Sequence, residues 1–309
     1  MKLCPITYEP IKEDELYSQR GLKLLSPQLH TLEPLKLSAE EQRHEAVSRA
    51  GKMSIQGVQT KLSAQLKIKE GCFKIVDNNG HYILKTQSAH YPELPENEAI
   101  TMSMAATVDL EVPIHGLLYA KDGSMTYFIK RFDRVGNNKK RALEDFSQLL
   151  GKSRDTKYKS SMEQVVEVVA QYCTFPKIEF IKLFKLTLFN YLVGNEDMHL
   201  KNFSIITKNR KNYLSPAYDL LNTSIALLHP KEELALPLRG KKNNISKNDF
   251  LKYFAIERLQ INQIIIDEMM EDFIKKIPMW SELIDKSFLT STMKERYKNL
   301  LEERRKNLF

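Results

Sequence analysis

The stretch Gly194–Ser204, GNEDMHLKNFS, places an aspartate, a histidine, a lysine and an asparagine within a few residues. It follows directly on a long apolar run, PKIEFIKLFKLTLFNYLV. Ile178, Phe180, Ile181, Leu183, Phe184, Leu186, Leu188 and Phe189 would cover most of a helix, so that helix is expected inside a helical layer. Pro176 near its start and Gly194 at its end match the usual start and stop asymmetry. A buried helix that stops at Gly194 delivers the polar stretch to a rigid edge, which a catalytic loop requires. Asp197 and Asn202 stand five apart. In a protein-kinase catalytic loop, that spacing puts a proton-accepting carboxylate beside a metal-binding amide. A solvated loop can carry the same residues, and the spacing alone does not separate the two.

Working outward, the downstream segment PAYDLLN carries Asp219 after a β-like pair of segments, FSIIT and YLSPAYDLL. A second metal-ligating carboxylate belongs at such a place, although Asp219 can equally cap the next helix. Upstream, SMEQVVEVVAQYC and ALEDFSQLLG read as helices, and so does the chain from about Lys247. Residues 52–135 read mainly as strands: KLSAQLKI alternates, HYILKTQ is a short β-rich run, and IHGLLYA and MTYFIKRF flank the hairpin turn KDGS. Among them PENEAITMSMAATVDL reads as one helix. Ser38 with Glu41 three residues on forms a capping-box pattern for a helix running to about Gly51. The expected class is therefore α+β with two lobes of protein-kinase-like fold. A β-rich N-terminal lobe spans 1–135 and a helical C-terminal lobe spans 136–309, with the boundary near GNNKKR.

The N-terminal lobe supplies further groups in the order phosphoryl transfer needs. Gly51–Lys61, GKMSIQGVQTK, precedes a strand as a phosphate-covering loop would, though it is neither a Walker A nor a GxGxxG pattern. Lys85 ends a strand, as a phosphate-pairing lysine does, and Glu98 lies in the inserted helix, where it can pair with Lys85 or face solvent. Mg²⁺ takes oxygen ligands, one or two carboxylates together with phosphate oxygens.

The bulk numbers set limits without choosing. The 309 residues suffice for one large domain or two modest lobes, with 42% apolar and 28% charged residues. A net charge of +8 suits an anionic partner, whether nucleotide, nucleic acid or an acidic protein face. There is no apolar run of roughly 18 residues, so no membrane span is expected. The beginning MKLCPITYEP lacks an apolar signal core. Cys4, Cys72 and Cys173 are scattered, which suits a reducing cytoplasm better than a disulfide framework.

Taken together, these segments resemble the HipA family of bacterial toxin serine/threonine kinases. SIQGVQTKLS resembles the family's phosphate loop, YILKTQ its lysine strand, FIKRFDR its hinge, LEDFSQLLG the helix after it, and GNEDMHLKNFSI and PAYDLLNT its catalytic and metal motifs. The matches run from about residue 50 to 225. The resemblance implies ATP and Mg²⁺ as cofactors, Asp197 as general base, and Asn202 and Asp219 as metal ligands. It implies nucleotide contacts from Gln56, Gly57, Val58, Gln59, Thr60, Lys61 and Lys85. It also implies that the backbone of Lys130, Arg131 and Phe132 meets the adenine, that Asp133 lies near the ribose, and that His199, Leu200, Lys201 and Tyr218 lie beside the nucleotide. Ser54 matches the serine that family members phosphorylate on themselves. A phosphate there adds nearly two negative charges beside a site built for ATP phosphates.

The family's hinge usually carries an acidic residue where this chain has Lys130. About 50 residues precede the phosphate loop, which resembles the short, HipT-type form. That form implies as partners a small HipS-like protein, which supplies an N-terminal subdomain, and a HipB-like helix-turn-helix antitoxin. DNA is then met only through the antitoxin. The implied substrate is a protein, an aminoacyl-tRNA synthetase. Two other functions fit the same fold: a catalytically silent corepressor that uses a basic surface near operator DNA, and a small-molecule kinase. The presence of Lys85, Asp197, Asn202 and Asp219 argues against the silent form.

Overall fold

The structure, a computed structural model, describes residues 2–50, 59–136, 139–153, 156–227 and 232–309. Ser54, Gln56, Gly57 and Val58 lie outside the described residues. The chain has an α+β kinase-like fold and divides into two units. One comprises residues 1–100, 113–134 and 285–290, and the other 101–112, 135–284 and 291–309. Each unit is thus made from separate stretches of chain, where the sequence reading placed a single boundary near residue 136.

The first unit is built on a five-stranded antiparallel sheet. Its order is Cys72–Ile75, Lys61–Lys67, Tyr82–Lys85, Met125–Lys130, His115–Tyr119. The last two strands form the expected hairpin, with Tyr119 opposite Met125 across the KDGS turn. Side chains alternate along a strand. Leu62, Leu84 and Phe128 accordingly join one apolar core with Phe73, Tyr82 and the N-terminal Cys4, Leu22, Leu29 and Leu32. The next residue after Leu84 is Lys85, which the same alternation sends to the opposite face. The helix Ala39–Ala50 begins with the expected capping box: the Glu41 N–H donates to Ser38 Oγ at 3.2 Å and the Ser38 N–H to Glu41 Oε2 at 2.7 Å. The helix Leu94–Thr107 begins in this unit, and Ala99 and Ile100 on it are completely buried.

The second unit is mainly helical. Met162–Tyr172 is capped by the Ser161 hydroxyl, and Pro176–Leu192 carries Leu183, Phe184, Leu188 and Phe189 at zero exposure. Aromatic pairs knit the layers: Phe189 meets Trp280 edge-on at 5.4 Å, and Tyr191 lies 4.9 Å from Phe250. Gln263–Lys286 and Ser291–Leu308 close the unit, preceded by the π-wound segment Asp249–Arg258. Ser291–Leu308 packs on Pro176–Leu192, where the Arg304 guanidinium lies 4.9 Å from the centre of the Tyr191 ring. A three-stranded antiparallel sheet, ordered Leu143–Asp145, Ser204–Lys208, Lys211–Leu214, flanks the polar stretch.

One expectation is corrected here. ALEDFSQLLG is not one helix: Leu143–Asp145 is a strand, and only Phe146–Leu149 is helical. The reason is tertiary. Leu143 pairs opposite Ile206 and Asp145 opposite Ser204, and the Asp145 carboxylate then caps the short helix by accepting from the Gln148 N–H at 2.8 Å. Among the described residues, no helix is long and apolar enough to cross a membrane.

Candidate active site

In the first unit, Lys85 Nζ donates to both oxygens of Glu98, at 2.5 and 2.7 Å. The side chains are 6% and 1% exposed, so the pair is formed away from water. The lysine also lies 5.6 Å from the centre of the Tyr127 ring. Gln59 and Thr60 are stitched beside it: Gln59 Nε2 donates to the Thr86 carbonyl at 2.9 Å, and the two threonine hydroxyls, Thr60 and Thr86, lie 2.5 Å apart. Lys61 stands opposite Lys85 in the strand register. The expected phosphate-side residues that are described thus converge on one strand end.

The segment expected at the adenine is hydrogen-bonded within the first unit. The Lys130 N–H donates to the Ile114 carbonyl at 2.7 Å and the Arg131 N–H to the His81 carbonyl at 2.8 Å. Both N–H groups are taken by the protein's own backbone. Asp133 accepts from Arg131 at 3.0 and 2.7 Å, and Arg134 lies 3.3 Å away. Burial pushes the Asp133 carboxyl up, but the Arg131 hydrogen bonds and the two guanidinium charges outweigh this and hold it below the usual range.

In the second unit, Gly194 ends the buried helix at φ +68°. This left-handed backbone favours glycine, and space is short as well: a Cβ would lie 2.3 Å from Leu300 Cδ2 and 2.8 Å from Ser224 Oγ, side-chain ends that would have to move. Asn195 is completely buried, donates from Nδ2 to Asn190 Oδ1 at 2.7 Å, and accepts the Asp197 N–H at 3.2 Å. The Asp197 carbonyl accepts from Asn202 Nδ2 at 2.9 Å and from the His199 N–H at 2.8 Å. The loop is therefore closed on itself, with the Asp197 side chain 45% exposed at its rim.

His199 and Lys201 are drawn to neighbours. Lys157 Nζ lies 2.6 Å from His199 Nε2, and the Lys201 N–H donates to Nδ1 at 3.3 Å. A neutral imidazole has one lone pair, so it accepts from one of these at a time. Burial lowers the His199 pKa, and the Lys157 charge adds to that effect against the pull of Asp197 and Asp219. Lys201 Nζ faces Asp145 at 3.6 Å. Leu200 is fully buried. Tyr218 is a strut: its hydroxyl donates to the Lys201 carbonyl at 2.9 Å and lies 2.5 Å from Ser204 Oγ. It ties the segment before Asp219 to Lys201 and Ser204. Asp219 itself sits at φ +54°, a left-handed conformation that costs about 1 kcal/mol or more in a residue with a Cβ.

Asn202 and Asp219 fit a hard divalent cation in kind. The Asn202 amide nitrogen donates to the Asp197 carbonyl, its amide oxygen is a hard ligand atom, and Asp219 brings one carboxylate. Among the described residues, no three His, Cys, Asp or Glu side chains gather as a metal site. Two residues have no expected role: Tyr158, whose hydroxyl donates to Asp197 Oδ1, and Lys157, 4.9 Å from the centre of the Tyr158 ring. TKYKSS offers no periodicity or spacing that marks them.

The HipA-like C-terminal domain model matches residues 53–281, most of the chain and every residue named above for the site except Leu300. The chain belongs to that family. A Haemophilus influenzae protein, provisionally named a kinase, is 29% identical over 94% of this chain and 92% of its own length. The Shewanella oneidensis serine/threonine-protein kinase toxin HipA is 27% identical over 56% of this chain, and the match takes in 44% of that toxin. Among solved structures, the Shewanella oneidensis HipA, HipB and operator DNA complex matches with a TM-score of 0.69 at 21% identity, covering 90% of this HipA-family chain and 72% of the other.

Proposed function

We propose that this HipA-family chain is an ATP- and Mg²⁺-dependent protein serine/threonine kinase, the toxin of a bacterial toxin–antitoxin system. The observation that carries the proposal is the buried Lys85–Glu98 pair. Such a pair is a weak source of stability, because desolvation offsets its attraction. Its value lies in holding an ammonium group ready for an ATP phosphate. Asp197 is the complementary part, a half-exposed carboxylate on a loop tied down by Asn195 and Asn202.

In the reaction, the hydroxyl oxygen of a serine attacks the γ-phosphorus and gives its proton to the Asp197 carboxylate. The bond from the γ-phosphorus to the bridging oxygen breaks, and ADP leaves. Lys85 would bind the phosphates, and Asn202 and Asp219 would hold Mg²⁺. When bound, the ion neutralises charge on the phosphate oxygens. Ser54 is the proposed site of self-phosphorylation and an aminoacyl-tRNA synthetase the proposed target. A HipB-like antitoxin and a small HipS-like protein are the proposed partners, in the cytoplasm. The Shewanella complex supports the antitoxin as a partner class.

The test is label transfer. Protein not phosphorylated at Ser54, given Mg²⁺ and γ-labelled ATP, takes up label. Asp197→Asn lowers the rate by roughly 10²–10⁴-fold. No label with any divalent cation overturns the kinase reading. Label unchanged in Ser54→Ala overturns Ser54 as the site, and a phosphoproteome after induced expression names the target.

A further inference from the structure

Once the loop has closed, the backbone of Asp197 is fixed on both sides. Its N–H is held by Asn195, and its carbonyl by Asn202 and the His199 N–H. Two side-chain torsions remain, and the carboxylate is 45% exposed. A half-exposed carboxylate with free torsions swings in water, whereas proton abstraction demands a set position within hydrogen-bond reach of the attacking hydroxyl.

Tyr158 supplies the missing restraint. Its hydroxyl donates to Asp197 Oδ1. Its ring is held in turn: edge-on to His199 with centroids 5.0 Å apart at 85°, and under the Lys157 ammonium at 4.9 Å. His199 Nε2 also faces Oδ1, but at 3.8 Å, beyond hydrogen-bond length. Both groups thus meet the same oxygen. Burial, together with the hydrogen bond to Asp197 and its charge, raises the Tyr158 pKa, so the phenol keeps its proton and remains the donor.

We propose that Tyr158 is a positioning residue for phosphoryl transfer: its phenol pins Oδ1 of Asp197 and directs Oδ2 to the incoming hydroxyl. The inference rests on the kinase reading above and adds to it a residue outside the catalytic loop.

The test compares Tyr158→Phe, which keeps the ring and removes only the donor, with Tyr158→Leu, which also removes the ring. Label uptake from γ-labelled ATP with Mg²⁺ is followed at varied ATP, alongside the melting temperature. Tyr158→Phe should melt with the wild type and lower the rate constant at saturating ATP roughly ten- to a hundredfold, while the ATP concentration at half-maximal rate stays within about twofold. Tyr158→Leu should lose little more. Wild-type rates in Tyr158→Phe with a loss only in Tyr158→Leu mean that the ring merely packs, and overturn the inference. A faster Tyr158→Phe overturns it too, because the phenol would then compete with the substrate hydroxyl. Absence of label from the wild type is a different failure, that of the kinase reading itself.

Discussion

Removing one partner from the Lys85–Glu98 pair should destabilise the first unit far more than removing both. The two side chains are 6% and 1% exposed and joined by two contacts, at 2.5 and 2.7 Å. In Glu98→Gln the buried ammonium loses the Glu98 carboxylate, and in Lys85→Met the buried carboxylate loses the Lys85 ammonium. Breaking a buried pair in this way costs about 3–5 kcal/mol, which lowers the melting temperature by about 10 °C in a unit of this size. Replacing both with apolar groups of similar volume, Lys85→Met with Glu98→Leu, leaves no stranded charge. That variant should lie within about 1 kcal/mol of the wild type or above it. The single variants should also differ in pH response. A lone buried carboxylate sheds its charge by taking a proton, so Lys85→Met should be less damaging at pH 5 than at pH 8, and Glu98→Gln the reverse. Scanning calorimetry on the four proteins at both pH values gives the cycle, and label transfer run alongside should be lost in all three variants. Single variants that melt with the wild type would refute the reasoning, since the pair would then not be closed and buried in solution.

Two other changes give independent checks. Gly194→Ala should cost about 1–2 kcal/mol in urea unfolding, chiefly through its positive φ, with the Leu300 and Ser224 side chains obliged to shift from a Cβ 2.3 and 2.8 Å away; a cost under about 0.5 kcal/mol would show that the loop start is not so confined. Glu96 is buried, and burial raises its pKa from 4.5 to about 7 against the opposing Gln87 hydrogen bond. The folded state therefore holds this proton more tightly than the unfolded one, and its contribution is full below about pH 4.5 and lost as pH rises through 7, by about 3 kcal/mol. Glu96→Gln should flatten that decline, and a wild-type curve level from pH 5 to 7.5 would contradict it.

Much of the candidate site could be read from sequence because its parts are local. A continuous apolar helix, a glycine stop and an Asp–Asn spacing all lie within one stretch, and the alternation in HYILKTQ sends Lys85 to the face opposite Leu84. What escaped depends on distant partners. Leu143–Asp145 has helical composition but becomes a strand because Ser204–Ile206 is there to pair with it. Tyr158 reaches Asp197 from across the unit, and neither residue type nor spacing records that approach. The Lys85–Glu98 pair lay between these cases: the sequence offered both residues and left their meeting open.

The packing behind Gly194 also bears on when the loop can form. The space a Cβ would need there is filled by Leu300, from the helix Ser291–Leu308. A ribosome delivers the Asp197 segment well before that helix, so the loop emerges without its rear wall. The catalytic loop of a nascent chain, or of one cut by a protease ahead of residue 291, is left open at the back. Under the kinase reading, synthesis itself then acts as a delay: the loop gains its rear wall only after the helix Ser291–Leu308 has left the ribosome.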